Sequence, residues 1–220
     1  MPEIGVIFDM DGVLVDSYAA HFESWRRLAE EIGRTMTEAR FAATFGRTSR
    51  DIIRELFGID DPAAARRCDD RKEALYREII AADFPAMPGA TALVRSLHAA
   101  GIRLAVGSSG PPENVALACD RLGIEPCLDA IVTGADVTRG KPDPQVFQLA
   151  AERLTLPPGS CIVIEDAPAG VEAARRAGMR CVALAGTTPA DALAAADRVV
   201  HRLDEIDAAG LSALIRAPAG

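Results

Sequence analysis

The chain has 220 residues, 49 % apolar and 25 % charged, enough for one substantial core or for a core with a smaller insertion. A formal net charge of −8 argues against a general binder of nucleic acid or anionic membranes, while leaving room for a local basic pocket. No apolar run is long enough to span a bilayer, no signal peptide is seen, and five cysteines without a C-x-x-C pair suggest neither a disulfide framework nor a zinc knuckle, so a cytoplasmic protein is expected.

The first element, Ile4 to Phe8, is a short apolar run rich in β-branched and aromatic residues and closed by Asp9 and Gly12, which predicts a buried strand. It ends in two carboxylates, Asp9 and Asp11. Side chains at i and i+2 of an extended segment share a direction, so the two acids project into one small volume. Like charges that close repel unless a cation neutralises them or their protonation states are driven apart. From Ser17 to Ile32, apolar residues at Tyr18, Phe22, Trp25, Ala29 and Ile32 make a helical stripe that Gly33 ends. Thr35 to Glu38 has the spacing of a capping box. Ser49 to Phe57 reads as helix, and Asp61-Pro62 predicts an N-cap and first-turn proline for a long helix to about Ala82. Residues 15–85 are therefore expected to form one helical domain.

Beyond Phe84 to Gly89, which breaks the pattern with two prolines and a glycine, helices and strands alternate. Helices at 90–100, 113–122, 145–154 and 170–177 lead into apolar runs at 102–107, 130–133, 161–164 and 180–185. A weaker pair follows at 191–196 and 198–200. Near-continuous apolar strands separated by amphipathic helices mean a doubly wound parallel sheet covered on both faces, an α/β class. The first strand alone could bury nothing and must join that sheet, so residues 1–14 and 86–220 make the core domain. The helical block is an insertion entered and left through two crossings, which makes it a candidate for hinged closure.

Ligands of open parallel sheets sit beyond the carboxyl ends of the strands. The residues there are Asp9 and Asp11, Ser108 and Ser109, Thr133-Gly134 followed by Lys141, and Glu165 with Asp166. The carboxylates can share one hard divalent cation, for which Mg²⁺ is suited. Ser108 and the Lys141 ammonium can grip a phosphoryl group. Only two of the 24 basic residues are lysine, Lys72 and Lys141, which singles out Lys141 as a site needing a compact ammonium.

Asp9-Met10-Asp11-Gly12-Val13, Ser108 after a strand, Gly140-Lys141-Pro142-Asp143-Pro144 and Ile164-Glu165-Asp166-Ala167-Pro168 resemble, in order, the four motifs of the haloacid dehalogenase superfamily. The helical insertion is similar to that superfamily's α-helical cap, and the nearest likeness is to its β-phosphoglucomutase-like phosphatases. The resemblance implies a Mg²⁺-dependent phosphatase of small phosphorylated metabolites, foremost phosphosugars, with a phosphomutase as the alternative. It implies Asp9 as nucleophile and Asp11 as general acid and base, with metal binding by Asp9, the Asp11 carbonyl, Asp166 and Glu165. Ser108, Ser109 and Lys141 would hold the phosphate, and His21 and Arg50 on the cap would meet the substrate, with Arg47 as the rival for the role of Arg50. Trp25 lies on its helix's own apolar stripe, which leaves packing and substrate contact both open. An acid at position 11 suits a leaving group that needs a proton and so disfavours dehalogenation. Two departures from the mutase pattern are Pro111-Pro112 after the serines and Leu75-Tyr76-Arg77-Glu78 where the mutase's cap lysine is expected. A phospho-accepting receiver module would need neither the acid at 11 nor a helical lid. No G-x-G-x-x-G follows any strand, against a nucleotide-binding dehydrogenase. The expected partner is a small metabolite and the expected state a monomer.

Overall fold

The computed structural model describes residues 3–44 and 49–217. The chain separates into two compact units, Met1–Asp16 with Ala86–Gly220, and Ser17–Pro85. The larger unit is built on β1 (Gly5–Phe8), β2 (Arg103–Gly107), β3 (Ala130–Val132), β4 (Cys161–Glu165), β5 (Arg180–Leu184) and β6 (Arg198–Val200). Among the described residues these pair in the order β3-β2-β1-β4-β5-β6, every neighbour parallel. Phe8 lies opposite both Val106 and Ile164, so β1 is central and its end is level with those of β2 and β4.

The strands alternate faces with period two. Ile7, Ala105, Val163, Cys181 and Ala183 join one fully buried cluster with Phe147 and Ala150 of α7 (Gln145–Arg153) and Val171 and Ala174 of α8 (Pro168–Arg176). On the other side α5 (Ala90–Ala99) packs on β2 and α9 (Ala208–Arg216) on β4. α6 (Pro112–Leu122) follows the Ser108 turn, its first position being a proline that has no N–H to waste there. Strand order reverses direction between β1 and β4, which places the switch point at the carboxyl ends of these two strands. The connections that leave and re-enter this unit are tied to each other, Val15 bridging Ala86 and the Met87 N–H donating to the Leu14 carbonyl at 3.0 Å.

The smaller unit holds α1 (Tyr18–Glu31), α2 (Glu38–Ala42), α3 (Ser49–Phe57) and α4 (Pro62–Ala82). Trp25, Leu28, Phe41, Ile53, Phe57 and Leu75 form its core. The Asp61 carboxylate accepts from the Ala64 N–H at 2.8 Å, as the Asp-Pro start predicts. For α2 the cap is Thr37, whose hydroxyl accepts from the Arg40 N–H, rather than Thr35, so this short helix starts two residues later than the capping-box spacing suggests. The 191–196 helix is a single 3₁₀ turn, Ala190–Leu193. No helix among the described residues is long and apolar enough to cross a membrane.

Candidate active site

The ends of β1 and β4 deliver the acids. Asp9 follows Phe8, and its N–H donates to the Ile164 carbonyl at 2.9 Å, so the ladder fixes its backbone one step past the strand. Glu165 is the last residue of β4 and Asp166 the next. Ligand atoms of Asp9, Glu165 and Asp166 all lie within 4.8 Å of one another. Lys141 bridges two of them, its Nζ donating to Asp9 Oδ1 and Glu165 Oε1, each at 2.6 Å, and it lies 4.8 Å from the centre of the Phe147 ring. Ser108 is buried where β2 ends, its N–H donating to the Val132 carbonyl and its Oγ accepting from the Gly110 N–H at 3.0 Å. Ser109 is exposed beside it.

Glu165 is the most constrained of the acids at 1 % exposure. While Oε1 accepts Lys141, Oε2 accepts the N–H groups of Asp166 and Ala167 at 2.7 Å each, at the start of α8. Both its oxygens are thus engaged by protein donors, whereas Asp166 stands closer to a free ligand. Two glycines make room for these carboxylates. Gly12, at φ +78°, has the Asp166 carboxylate where a Cβ would sit, and Gly170 in the first turn of α8 has the Glu165 carboxylate there.

Three acids surround one ammonium, so full ionisation leaves excess negative charge in a buried space. Burial, opposed by Lys141 and reinforced by Glu165 and Asp11, pushes the Asp9 carboxyl up from 3.8 to about 7. Burial and then the neighbouring acids push Asp166 up to about 8. Burial alone would lower the Lys141 ammonium's pKa, but the charges of Asp9 and Glu165 outweigh it and hold it above the ordinary lysine value. The donor set is all oxygen, crowded and short of positive charge, which fits a hard divalent cation rather than a thiolate- or imidazole-seeking metal.

In the helical unit the described side chains favour the packing reading of Trp25, which is 3 % exposed and lies against Phe57 in the unit's core with ring centres 6.0 Å apart. His21 stacks on Tyr76, centres 4.1 Å apart, and its Nδ1 lies 3.0 Å from Lys72 Nζ. Lys72 is itself 3 % exposed, ion-paired with Glu73 at 2.7 Å and within 6 Å of the Trp25 and Tyr76 rings. α4 therefore does carry a buried lysine, one turn before the stretch where the sequence showed an acid. The signal was present: Lys72 is four residues from Tyr76 on the same helical face, in a chain with two lysines. Arg47 lies outside the described residues, and the Arg50 side chain does too, although Arg50 is the second residue of α3.

A family model described as haloacid dehalogenase-like hydrolase matches residues 5–178. A validoxylamine A 7'-phosphate phosphatase of Streptomyces hygroscopicus subsp. limoneus is 35 % identical over 207 residues, covering 91 % of this chain and 94 % of its own. A β-phosphoglucomutase of Bacillus subtilis is 32 % identical, covering 91 % and 90 %. The crystal structure of a family IA, variant 3 hydrolase from Entamoeba histolytica superposes with a TM-score of 0.90 at 25 % identity, over 97 % of this chain and all of that one. With its motif residues converging at one sheet switch point and this match spanning most of its length, the chain belongs to the haloacid dehalogenase-like hydrolases.

Proposed function

We propose that the chain is a Mg²⁺-dependent phosphatase of small phosphorylated metabolites, phosphosugars foremost, acting through an aspartyl-phosphate on Asp9. The observation that carries this reading is the Lys141 ammonium bridging Asp9 and Glu165 at 2.6 Å beside Asp166. That arrangement aims a nucleophilic carboxylate and favours its ionised form against burial, while leaving oxygens for a cation. Asp9 would form the new O–P bond as the ester O–P bond breaks, with Asp11 giving its proton to the departing oxygen. Asp11 would then take a proton from the water that attacks phosphorus, releasing phosphate and restoring Asp9. Ser108 and Lys141 would hold the phosphoryl oxygens, Ser109 lying alongside. Mg²⁺, held by Asp9, Asp166 and the Asp11 carbonyl with Glu165 behind them, would offset charge on the transferring group. Substrate choice is assigned to the helical unit, through His21 with Lys72 and through Arg50 or Arg47.

A phosphatase among the relatives supports hydrolysis, and a β-phosphoglucomutase among them supports the second reading, a phosphomutase. Incubation with a panel of sugar phosphates, with Mg²⁺ or with EDTA, separates the two. Metal-dependent release of inorganic phosphate is expected; isomerisation of a sugar phosphate without release would favour the mutase.

Metal and protons compete for the same oxygens. Folded-state pKa values of about 7 and about 8 lie above the 3.8 of an unfolded aspartate, so the metal-free folded protein binds more protons than the unfolded chain between about pH 4 and pH 8. Its stability is therefore fully present at the acid end of that window and declines as pH rises through it. Mg²⁺ displaces those protons, so the rise in Tm on adding Mg²⁺ is expected to be larger at about pH 8 than at about pH 6. Thermal melts at both pH values check this, and a rise that shrinks with pH would contradict it.

A further inference from the structure

Lys141 lies in a stretch, residues 133–144, that contains no helix or strand; its Gly134, Asp136 and Asp143 N–H groups donate to the Gly110, Thr133 and Gly140 carbonyls, and side chains supply further ties. At its start Asp136 Oδ2 accepts from the Thr133 N–H at 2.8 Å and from the Thr133 hydroxyl at 2.9 Å, and Asp136 Oδ1 accepts from Arg153 at 2.5 Å. At its end a single atom of Gln145 takes over. Gln145 Oε1 accepts from the Thr138 N–H at 3.0 Å, the Arg139 N–H at 3.0 Å and the Thr138 hydroxyl at 3.3 Å. Two backbone N–H donors converging on one side-chain atom require it to be the amide oxygen. The Gln145 N–H is in turn held by Asp143 Oδ1 at 3.0 Å, and Asp143 pairs with Arg139 at 3.0 Å.

These bonds close a ring of chain around Gly140 to Pro144, with Lys141 inside it. The backbone of Lys141 is thus tied from Gln145, while its ammonium is tied by Asp9 and Glu165. Thr138 and Arg139 are exposed. Losing Gln145 as acceptor hands their N–H groups to water at little cost in stability, but it frees the turn that aims Lys141.

We propose that Gln145 is a positioning residue for Lys141, its one amide oxygen holding the turn that presents the ammonium to Asp9 and Glu165. The consequence for turnover rests on the phosphatase reading; the consequence for Lys141 itself does not.

The chain's two lysines allow a direct test. Wild type, Gln145→Met and Gln145→Glu are treated with an amine-acetylating reagent, and Lys141 and Lys72 are followed separately by mass spectrometry. Met keeps the length and helix propensity without the acceptor; Glu keeps the acceptor. Acetylation of Lys141 is expected to quicken roughly fivefold or more in Gln145→Met and to stay near wild type in Gln145→Glu, with Lys72 unchanged in both. Phosphate release should fall roughly tenfold in Gln145→Met, mostly in kcat, because small displacements of a positioned group are costly to rate, and Gln145→Glu should restore it. Unchanged labelling of Lys141 overturns the proposal, as does quickening that includes Lys72, which would report general loosening. Faster labelling with unchanged kcat overturns it too. Selective labelling in a protein whose wild type releases no phosphate would uphold the positioning role and remove the phosphatase reading instead.

Discussion

Asp9→Asn is expected to lower phosphate release by about 10⁴-fold or more while leaving the metal-free protein at least as stable as wild type. The two effects have opposite signs for one reason. The carboxylate at position 9 is buried, 7 % exposed, and is pushed up to about 7 by that burial in spite of Lys141. An amide of the same shape relieves the crowding of negative charge, keeps an oxygen for the Lys141 ammonium and removes the nucleophile. Thermal melts in EDTA at about pH 8, beside a phosphate-release assay, read both halves. A variant that stayed active would move the nucleophile elsewhere, and one that unfolded would mean that Asp9 is held for structure.

The largest effect on stability is expected at Gly170→Ala. In the first turn of a helix this change would ordinarily gain up to about 1 kcal/mol from helix propensity. Here the added methyl would overlap the Glu165 carboxylate, at the oxygen that accepts Lys141. Pushing that carboxylate aside costs about 1–3 kcal/mol in overpacking. It also breaks one side of a buried ion pair, at about 3–5 kcal/mol when nothing replaces the partner. The penalty exceeds the gain, and a net loss of at least about 3 kcal/mol lowers Tm by at least about 6 °C in a chain of this size. Activity should fall with it, because Lys141 loses one of its two anchors. Gly186→Ala is the control: Gly186 is exposed with nothing within 4 Å of an added Cβ, and a change within about 0.5 kcal/mol is expected there. Equal melting of Gly170→Ala and wild type would show that the Glu165 pocket is looser than described.

The architecture was legible where a residue's chemistry and its place on an element agree. β1 is apolar until it stops at Asp9, β4 until it stops at Glu165, and a parallel sheet puts such stops on one edge, so the acids of the site follow from the strands. The Asp61-Pro62 start of α4 is equally plain, since the capping oxygen and the missing N–H act on one turn. α9 was not anticipated: Ala-Ala-Gly dilutes its stripe, and its start depends on Asp207 accepting from the Gly210 N–H at 2.7 Å. Gln145 was invisible for a different reason. Its partners are six and seven residues back in irregular chain, where no periodicity announces a contact. Lys72 was less legible because a lysine beside Glu73 reads as a surface ion pair, although its spacing from Tyr76 and the scarcity of lysine both marked it. Gly12 and Gly170 looked like ordinary turn and helix-start residues; only the carboxylates lying against them show why no side chain fits.

The most direct measurement is to quench the enzyme in acid during turnover of a sugar phosphate with Mg²⁺ and map the phosphorylated peptide by mass spectrometry. A phosphoryl group on Asp9, absent in EDTA and absent in Asp9→Asn, is the predicted result. Steady phosphate release with no phosphoryl group on Asp9, or with one on another residue, would contradict the account.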